Sequence, residues 1–197
     1  DGILAMVAAG GAVELRDLDS LRTVRTFAVE GAEDVAISPA RTLWLLAGGE
    51  LREYDLDGRP TGKVVSDLEN PTAVSVAPDG RVVVCDDGPR QQVRVYDVRG
   101  RPRLVESFGR TGGLRAGIRG APAPDKLFGL RGAGLDAAGN LYVACGFGKR
   151  PEGGLVLRAF DTARRLRWEL SCHAFAQVYD ARPQGEALEV YGPREVF

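Results

Sequence analysis

The sequence predicts an all-β protein, a β-propeller of four-stranded antiparallel blades. Three observations support this prediction: a repeated order of short apolar strands, tight Asp- and Gly-rich turns between them, and an aromatic-Asp pair at the same place in successive repeats. Repeats of about 40 to 45 residues with four strands each are typical of propeller blades. One such sheet cannot cover both of its faces, so it stacks against its neighbours around an axis.

Three stretches of the chain align with one another: residues 32–59, 71–101 and 130–165. Each begins with a short apolar strand, a tight turn and a second apolar strand. A looser loop and a third strand ending in the aromatic-Asp pair follow, and then a fourth strand. We name these strands A to D, so that each repeat supplies one blade.

The aromatic-Asp pair sets the register of the repeats. Successive Asp residues are 38, 42 and 64 positions apart, and the last gap is long because an insertion, residues 107–127, lies within it. The positions that define this register are Asp17, Tyr54-Asp55, Tyr96-Asp97 and Phe160-Asp161.

The strand predictions rest on the residue pattern. Val74 and Val76 alternate with smaller residues, which is typical of a half-buried strand. Residues 82–84 form a continuous apolar run, as expected of a strand covered on both faces. Asp57-Gly58 and Asp79-Gly80 supply the positive φ that tight hairpins need. No long stretch has a helical period.

The run from residue 70 to residue 109 resembles an NHL repeat. That family's pattern has a Pro before strand A, Asp-Gly at the A–B turn, an Asp closing strand B, a polar stretch before strand C and an aromatic-Asp pair at its end. The residues that carry the resemblance are Pro71, Asp79-Gly80, Asp86, residues 90–92 and Tyr96-Asp97. At the place of Asp86 the other two repeats depart from the pattern, with Ala47 and Cys145.

The resemblance to NHL proteins implies a six-bladed ring. The chain holds about four blade-equivalents, at the lower end of the roughly 4 to 8 that close a ring, so we expect it to be part of a larger propeller. The alternative is a four-bladed ring closed by strand exchange between the C-terminal segment and the incomplete first blade. The predicted division is a blade remnant at 1–27, blades at 28–66, 67–109 and 128–171, the inserted loop at 107–127 and a partial blade at 172–197.

Composition restricts the function only a little. The 197 residues are 44% hydrophobic and 27% charged, and a net charge of -1 gives no reason to expect nucleic acid or an anionic membrane as partner. No segment approaches the roughly 20 apolar residues of a membrane helix, and no targeting segment is visible, so a cytoplasmic and a secreted location both stay open. Only three of the 26 basic residues are Lys. The Arg excess fits a GC-rich bacterial genome, or else bidentate recognition of carboxylates or phosphates.

Blade topology indicates where a ligand binds. With strand A innermost, the A–B and C–D turns share one face, and the B–C loops and D–A connections share the other, the loop face. Its loops are the longer and more irregular set, and long loops on a rigid scaffold usually carry recognition. The candidate ligand-binding residues on the loop face are Asp86, Asp87, Arg90, Arg110, Arg115, Arg119, Phe147, Lys149 and Arg150.

The insertion is the longest of these loops, with five Gly, two Pro and three Arg. One interpretation is an arginine-bearing lid over the central channel that contacts an acidic ligand. The other is a solvent-exposed connector. Charges on the loop face balance, so no nucleic-acid footprint is visible. Phe147 is the plausible ring for stacking a sugar.

The sequence indicates little chemistry. His173 is the only His, which excludes a multi-His zinc site within this chain. There is no GxSxG motif, and the three Cys residues are expected to be buried free thiols. An Asp closing strand B more often bonds loop amides than serves as a catalytic acid. NHL proteins resemble a wider six-bladed group that includes calcium-dependent gluconolactonase-like hydrolases, whose axial amide and acidic ligands Asn70 could match in part.

The predicted function is therefore a non-enzymatic scaffold that binds a protein or a glycan through its loop face, with no catalytic residue and no cofactor. The alternative is a six-bladed calcium-dependent hydrolase, lactonase or lyase whose catalytic residues lie partly outside this chain, and calcium would then be its cofactor. A purely structural module within a larger protein is the third hypothesis. Fold alone does not choose among them.

Overall fold

The computed structural model describes residues 2–118, 123–146, 154–172, 180–184 and 187–191. These residues form strands and one short 3-10 helix, Gly113–Arg115, and contain no α-helix. The strands are β1 (Ile3–Val7), β2 (Ala12–Asp17), β3 (Thr23–Ala28), β4 (Ala32–Ile37), β5 (Leu43–Ala47), β6 (Glu50–Tyr54), β7 (Pro60–Val65), β8 (Pro71–Val76), β9 (Val82–Asp86), β10 (Gln92–Asp97), β11 (Arg103–Phe108), β12 (Leu130–Leu135), β13 (Leu141–Gly146), β14 (Leu155–Phe160), β15 (Leu166–Cys172), β16 (Asp180–Gln184) and β17 (Ala187–Tyr191).

The described strands form five antiparallel sheets in chain order. The second, third and fourth sheets (β4–β7, β8–β11 and β12–β15) each have four strands, the first sheet (β1–β3) has three, and β16–β17 is a hairpin. Each sheet is a meander, because antiparallel neighbours need only a hairpin and no crossover. The predicted all-β architecture of four-stranded antiparallel sheets is confirmed.

The sheets stack around their first strands. β4, β8 and β12 pack side by side, and β1 packs against β4. Strand A of each four-stranded sheet is therefore innermost. As expected, the A–B and C–D turns then lie at one face of the stack, and the B–C loops and D–A connections lie at the other, the loop face. In the first sheet β1–β3 correspond to strands B to D, because Asp17 closes β2 as Asp97 closes β10.

Three apolar clusters fill the spaces between successive sheets. Strand β9 belongs to two of them. Val82 and Val84 join the cluster shared with the second sheet, whereas Val83 and Cys85 join the cluster shared with the fourth. The predicted strand covered on both faces is confirmed. Full burial of one such side chain contributes about 1.5–3 kcal/mol, so this stacking is the main source of stability.

Trp44, Val83 and Tyr142 occupy matching positions in strand B of the second, third and fourth sheets. Trp44 and Val83 are buried beneath the following sheet, but Tyr142 is 38% exposed. Its ring lies beside the exposed ring of Trp168, with the two centroids 6.2 Å apart. The outer face of the fourth sheet thus has the side-chain pattern of an inter-sheet surface while these two rings remain exposed.

The recurrent Asp at the end of strand C closes the C–D turn. Asp97 Oδ1 accepts a hydrogen bond from the Arg99 amide (3.1 Å), and Asp161 Oδ1 accepts one from the Arg165 amide (2.8 Å). The Arg99 side chain holds the pKa of Asp97 well below its usual range, and the Arg165 amide lowers the pKa of Asp161. Each carboxylate supplies the acceptor that the turn needs, which explains why the sequence repeats this residue.

Replacing Trp44 by Ala is expected to lower the free energy of unfolding by about 3–5 kcal/mol, because it empties a fully buried space between two sheets. Trp168→Ala is the matched control, with an expected loss of about 1 kcal/mol or less, since that ring is 47% exposed. Urea unfolding followed by circular dichroism measures both losses. Equal losses of unfolding free energy in the two variants would contradict the burial of Trp44 between the second and third sheets.

Acid is expected to destabilise the fold partly through Asp97 and Asp161. Their pKa values are lower in the folded chain than in the unfolded one, so their contribution is complete above the unfolded value of about 3.9 and is lost as the pH falls through the folded pKa. Asp97→Asn should therefore flatten the dependence of Tm on pH below about 4. A series of thermal melts that shows an unchanged slope would rule out this role for the carboxylate.

A candidate binding surface on the loop face

The loop face carries a pocket of about 460 Å³ where the third sheet meets the insertion. The B–C loop of the third sheet, its D–A connection and the insertion each supply part of the wall. The lining residues are Asn70, Asp87, Gly88, Pro89, Gln91, Gly112 and Arg115. We call this the insertion pocket. Two of the predicted ligand-binding residues, Asp87 and Arg115, come together in it although they lie in different loops.

Asp86, at the end of strand B, supports the wall of the insertion pocket that the D–A connection supplies. Its carboxylate accepts hydrogen bonds from the amides of Glu69 (3.1 Å) and Asn70 (2.7 Å), and it is buried. The expectation that an Asp closing strand B bonds loop amides matches this arrangement. Asp86 was also a candidate ligand-binding residue; in the structure its buried carboxylate positions the D–A connection, and its contact with a ligand stays a prediction.

Asp87 joins the third sheet to the fourth. Its amide donates to Asn70 O (2.9 Å), and its Oδ1 accepts a hydrogen bond from the Leu130 amide at the start of β12 (3.1 Å). The Thr72 hydroxyl adds a bond to Leu130 O (2.8 Å). These bonds hold the inner rim of the pocket in place across the sheet boundary.

A buried arginine fixes the D–A connection that leads into the third sheet. The Arg94 guanidinium, in strand C, is 3% exposed; its Nη2 lies 2.5 Å from Asp67 Oδ2 and its Nη1 also donates to Asp67 O. Tyr96 donates its hydroxyl hydrogen to Asp67 Oδ1 (3.0 Å), and Asp86 lies 3.6 Å from Arg94. Burial raises the pKa of Tyr96, which keeps the hydroxyl protonated as a donor. Arg94 thus binds the connection through its charged head.

The insertion contacts the pocket through a position that only glycine can fill. Gly113 has a φ of 49°, and a Cβ there would come within 1.9 Å of Gln91 Oε1 and 2.2 Å of Leu127 O. Its neighbour Gly112 donates its amide to Arg90 O (3.0 Å). The close approach seats the 3-10 helix of the insertion directly against the B–C loop.

The insertion is also stabilised by contacts between its own residues. Arg110 forms an ion pair with Asp125 (2.9 Å) and donates its amide to Asp125 O (2.7 Å), which closes the loop at its base. The buried Lys126 donates from Nζ to Ile118 O (2.9 Å). Because β11 extends to Phe108, the connection begins at Gly109. Arg110 thus acts in closing the loop.

The remaining candidate residues differ in their surroundings. Arg115 is exposed, and its guanidinium has no hydrogen bond or ion pair with the residues the structure describes. Arg90 lies at the edge of the pocket, with Nε 3.2 Å from Glu69 Oε1. Four candidates lie outside the described residues: Arg119, Phe147, Lys149 and Arg150.

A second depression on the loop face, of about 600 Å³, lies between the first and second sheets. We call it the short-connection pocket. It is lined by residues 28–31, Ala47, Gly48, Arg52 and Tyr54. Glu50 accepts two hydrogen bonds from Arg52, at 3.1 Å from Nε and 2.6 Å from Nη2. None of the predicted candidate residues that the structure describes lines this pocket.

The described residues offer no metal centre: within that part of the chain no three His, Cys, Asp or Glu side chains group as ligands. Calcium takes about 6 to 8 oxygen ligands, and Asn70 with Asp87 does not fit such a site. Cys85 and Cys145 are buried free thiols, and burial raises the pKa of both, which disfavours the nucleophilic thiolate. None of the described helices is long and apolar enough to cross a bilayer.

No protein-family model and no curated protein matches the chain. Solved structures match by fold. A protein of unknown function from Bacteroides caccae is 15% identical with a TM-score of 0.58, covering 95% of this chain and 64% of its own. The β-propeller domain of Cps50 (Swd1) from Myceliophteria thermophila is 16% identical with a TM-score of 0.57, covering 96% and 60%. A chain of the mitotic checkpoint complex is 12% identical with a TM-score of 0.55, covering 96% and 54%.

These similarities confirm the β-propeller fold. The chain spans between 54% and 64% of the length of these neighbours. In all, 369 solved chains match, so the fold by itself does not select a function. Membership of the NHL family and the number of blades in the ring stay predictions.

Removing the Asp86 carboxylate is expected to destabilise the chain by about 3–5 kcal/mol, because Asp86→Ala leaves the buried Arg94 with one carboxylate fewer and removes the acceptor of two backbone amides. The control is Arg110→Ala, which breaks an exposed ion pair worth about 1 kcal/mol or less. Chemical denaturation compares the two. A smaller loss for Asp86→Ala than for Arg110→Ala would show that the carboxylate does not hold the connection.

Proposed function

We propose that the chain is a non-enzymatic recognition scaffold that binds a partner protein through its loop face. The observation that carries the proposal is the insertion pocket, where the exposed Arg115 guanidinium lacks a partner among the described residues and lines the same pocket as the anchored Asp87. A free guanidinium binds a carboxylate through two parallel hydrogen bonds, and this gives both energy and geometric specificity.

The rigidity of the pocket supports a binding role. Asp87 is bonded to the start of β12, and the packing of Gly113 against Gln91 seats the insertion against the B–C loop. A surface whose parts are already fixed loses little conformational entropy when a ligand binds, so more of the contact energy appears as affinity.

A protein partner is favoured over a glycan by the described lining of the pocket. That lining consists of charged, amide, Pro and Gly residues, without an aromatic ring on which a sugar could stack. The one ring considered for this task, Phe147, lies outside the described residues. One of the structural neighbours is a chain of the mitotic checkpoint complex, a protein assembly, which supports the same choice.

The calcium-dependent hydrolase or lyase is the alternative. It would need oxygen ligands and catalytic groups beyond the described residues, because Asn70 and Asp87 alone do not form a calcium site. No feature of the described loop face favours it over a binding scaffold.

Charge reversal at Arg115 is expected to weaken partner binding roughly tenfold or more, because a bidentate contact to a carboxylate becomes a repulsion. The test compares proteins retained from a lysate by the immobilised chain and by Arg115→Glu, quantified by mass spectrometry. Neither Arg115→Glu nor the control variant Arg101→Glu should change Tm, since both arginine side chains are exposed.

The matched control is Arg101→Glu, an exposed arginine at the C–D turn of the third sheet, on the opposite face of the molecule. Proteins whose retention depends on Arg115 and not on Arg101 are bound by the loop face. Retention that is unaffected by Arg115→Glu, or equally reduced by both variants, would contradict the proposal.

A further inference from the structure

The second, third and fourth sheets each place an arginine at the same position of strand C. Arg52 pairs with Leu45 of strand B, Arg94 with Val84 and Arg158 with Val143. Two residues later stands an aromatic residue, Tyr54, Tyr96 or Phe160. The three sheets can therefore be compared position by position at the loop face.

In the third and fourth sheets the D–A connection covers this arginine. Asp67 supplies a carboxylate and a backbone oxygen to Arg94 in the third sheet. In the fourth sheet Arg158 donates to Pro124 O (3.2 Å) and Lys126 O (3.0 Å). Both guanidinium groups are buried as a result. Arg158 also pairs with Glu169 of strand D (2.6 Å). In both sheets the arginine therefore binds backbone oxygens of a peptide segment that crosses the gap between two sheets.

The second sheet lacks such a segment. β3 ends at Ala28 and β4 begins at Ala32, so the connection has only residues 29–31, whereas residues 66–70 lead into the third sheet. Arg52 is left with a side chain that is 51% exposed, and the short-connection pocket opens beside it. The place taken by Asp67 in the third sheet is therefore open in the second.

We propose that the short-connection pocket binds an extended peptide segment of a partner protein that carries an acidic side chain. The peptide lies where residues 66–68 lie in the third sheet. Its carboxylate binds Arg52 and the Tyr54 hydroxyl, as Asp67 binds Arg94 and Tyr96. The proposal refines the proposed function, because this pocket is on the same loop face, but it involves no residue of the insertion pocket.

Glu50 competes for the same guanidinium. Its side chain is 36% exposed and lies on the same strand as Arg52, two residues away. An exposed ion pair of this kind contributes little to stability and is readily exchanged. The incoming carboxylate therefore replaces Glu50 on Arg52, and removing the Glu50 charge should strengthen peptide binding.

The probe is a synthetic peptide with the sequence of residues 64–70, Val-Val-Ser-Asp-Leu-Glu-Asn, capped at both ends and labelled with a fluorophore. Binding to the full chain is measured by fluorescence anisotropy. We expect weak binding to the natural chain, binding several-fold tighter to Glu50→Gln, and at least tenfold weaker binding to Arg52→Gln. The same peptide with Asn in place of its Asp should lose binding to the same degree as Arg52→Gln.

Arg101→Glu is the matched control, since it lies on the opposite face of the molecule and should leave peptide affinity unchanged. Thermal melts verify that each variant folds. Binding that is equal in the natural chain and Arg52→Gln would overturn the proposal, as would no binding to Glu50→Gln at millimolar peptide. If the peptide does not bind while partner binding still depends on Arg115, this inference is wrong and the proposed function stands.

Discussion

The second and third sheets of this chain each have two apolar faces, and the need to cover both determines the rest of the structure. In β9, Val82 and Val84 pack toward one neighbouring sheet and Val83 and Cys85 toward the other. Stacking of this kind leaves each sheet rigid and brings the first strands together at the centre. The loops that emerge from one end of the stack are thereby held at fixed distances, although they lie far apart in sequence. A binding surface assembled from several loops depends on that rigidity.

The length of each D–A connection then decides what the loop face presents. The connection into the third sheet is long enough for Asp67 to reach Arg94, and the longer one into the fourth sheet brings backbone oxygens to Arg158. The connection into the second sheet is too short to do either, and a pocket remains beside Arg52. The strand C arginine therefore acts as a structural clamp in the third and fourth sheets, whereas in the second sheet it borders an open pocket.

The sequence predicted best the features that depend on neighbouring residues. The recurrent Asp97 and Asp161 were recognisable because each bonds an amide within its own turn. The bonding of Asp86 to loop amides was expected from its place at the end of strand B. Its particular partners, the amides of residues 69 and 70 and the Arg94 side chain, could not be predicted because they are distant in sequence. The seating of Gly113 was missed, although the Gly112-Gly113 pair was a signal for a close approach. The short-connection pocket was missed because it depends on the absence of a segment, which becomes visible only when the sheets are superimposed.

The proposed function requires that partners bind the loop face and not the face of tight turns. Hydrogen exchange followed by mass spectrometry, on the chain alone and with a captured partner protein, tests it most directly. We predict added protection in residues 87–91 and 112–115, at the insertion pocket, and none in the turns at residues 57–58, 79–80 and 99–100. Protection confined to those turns, with the loop face unchanged, would contradict the account.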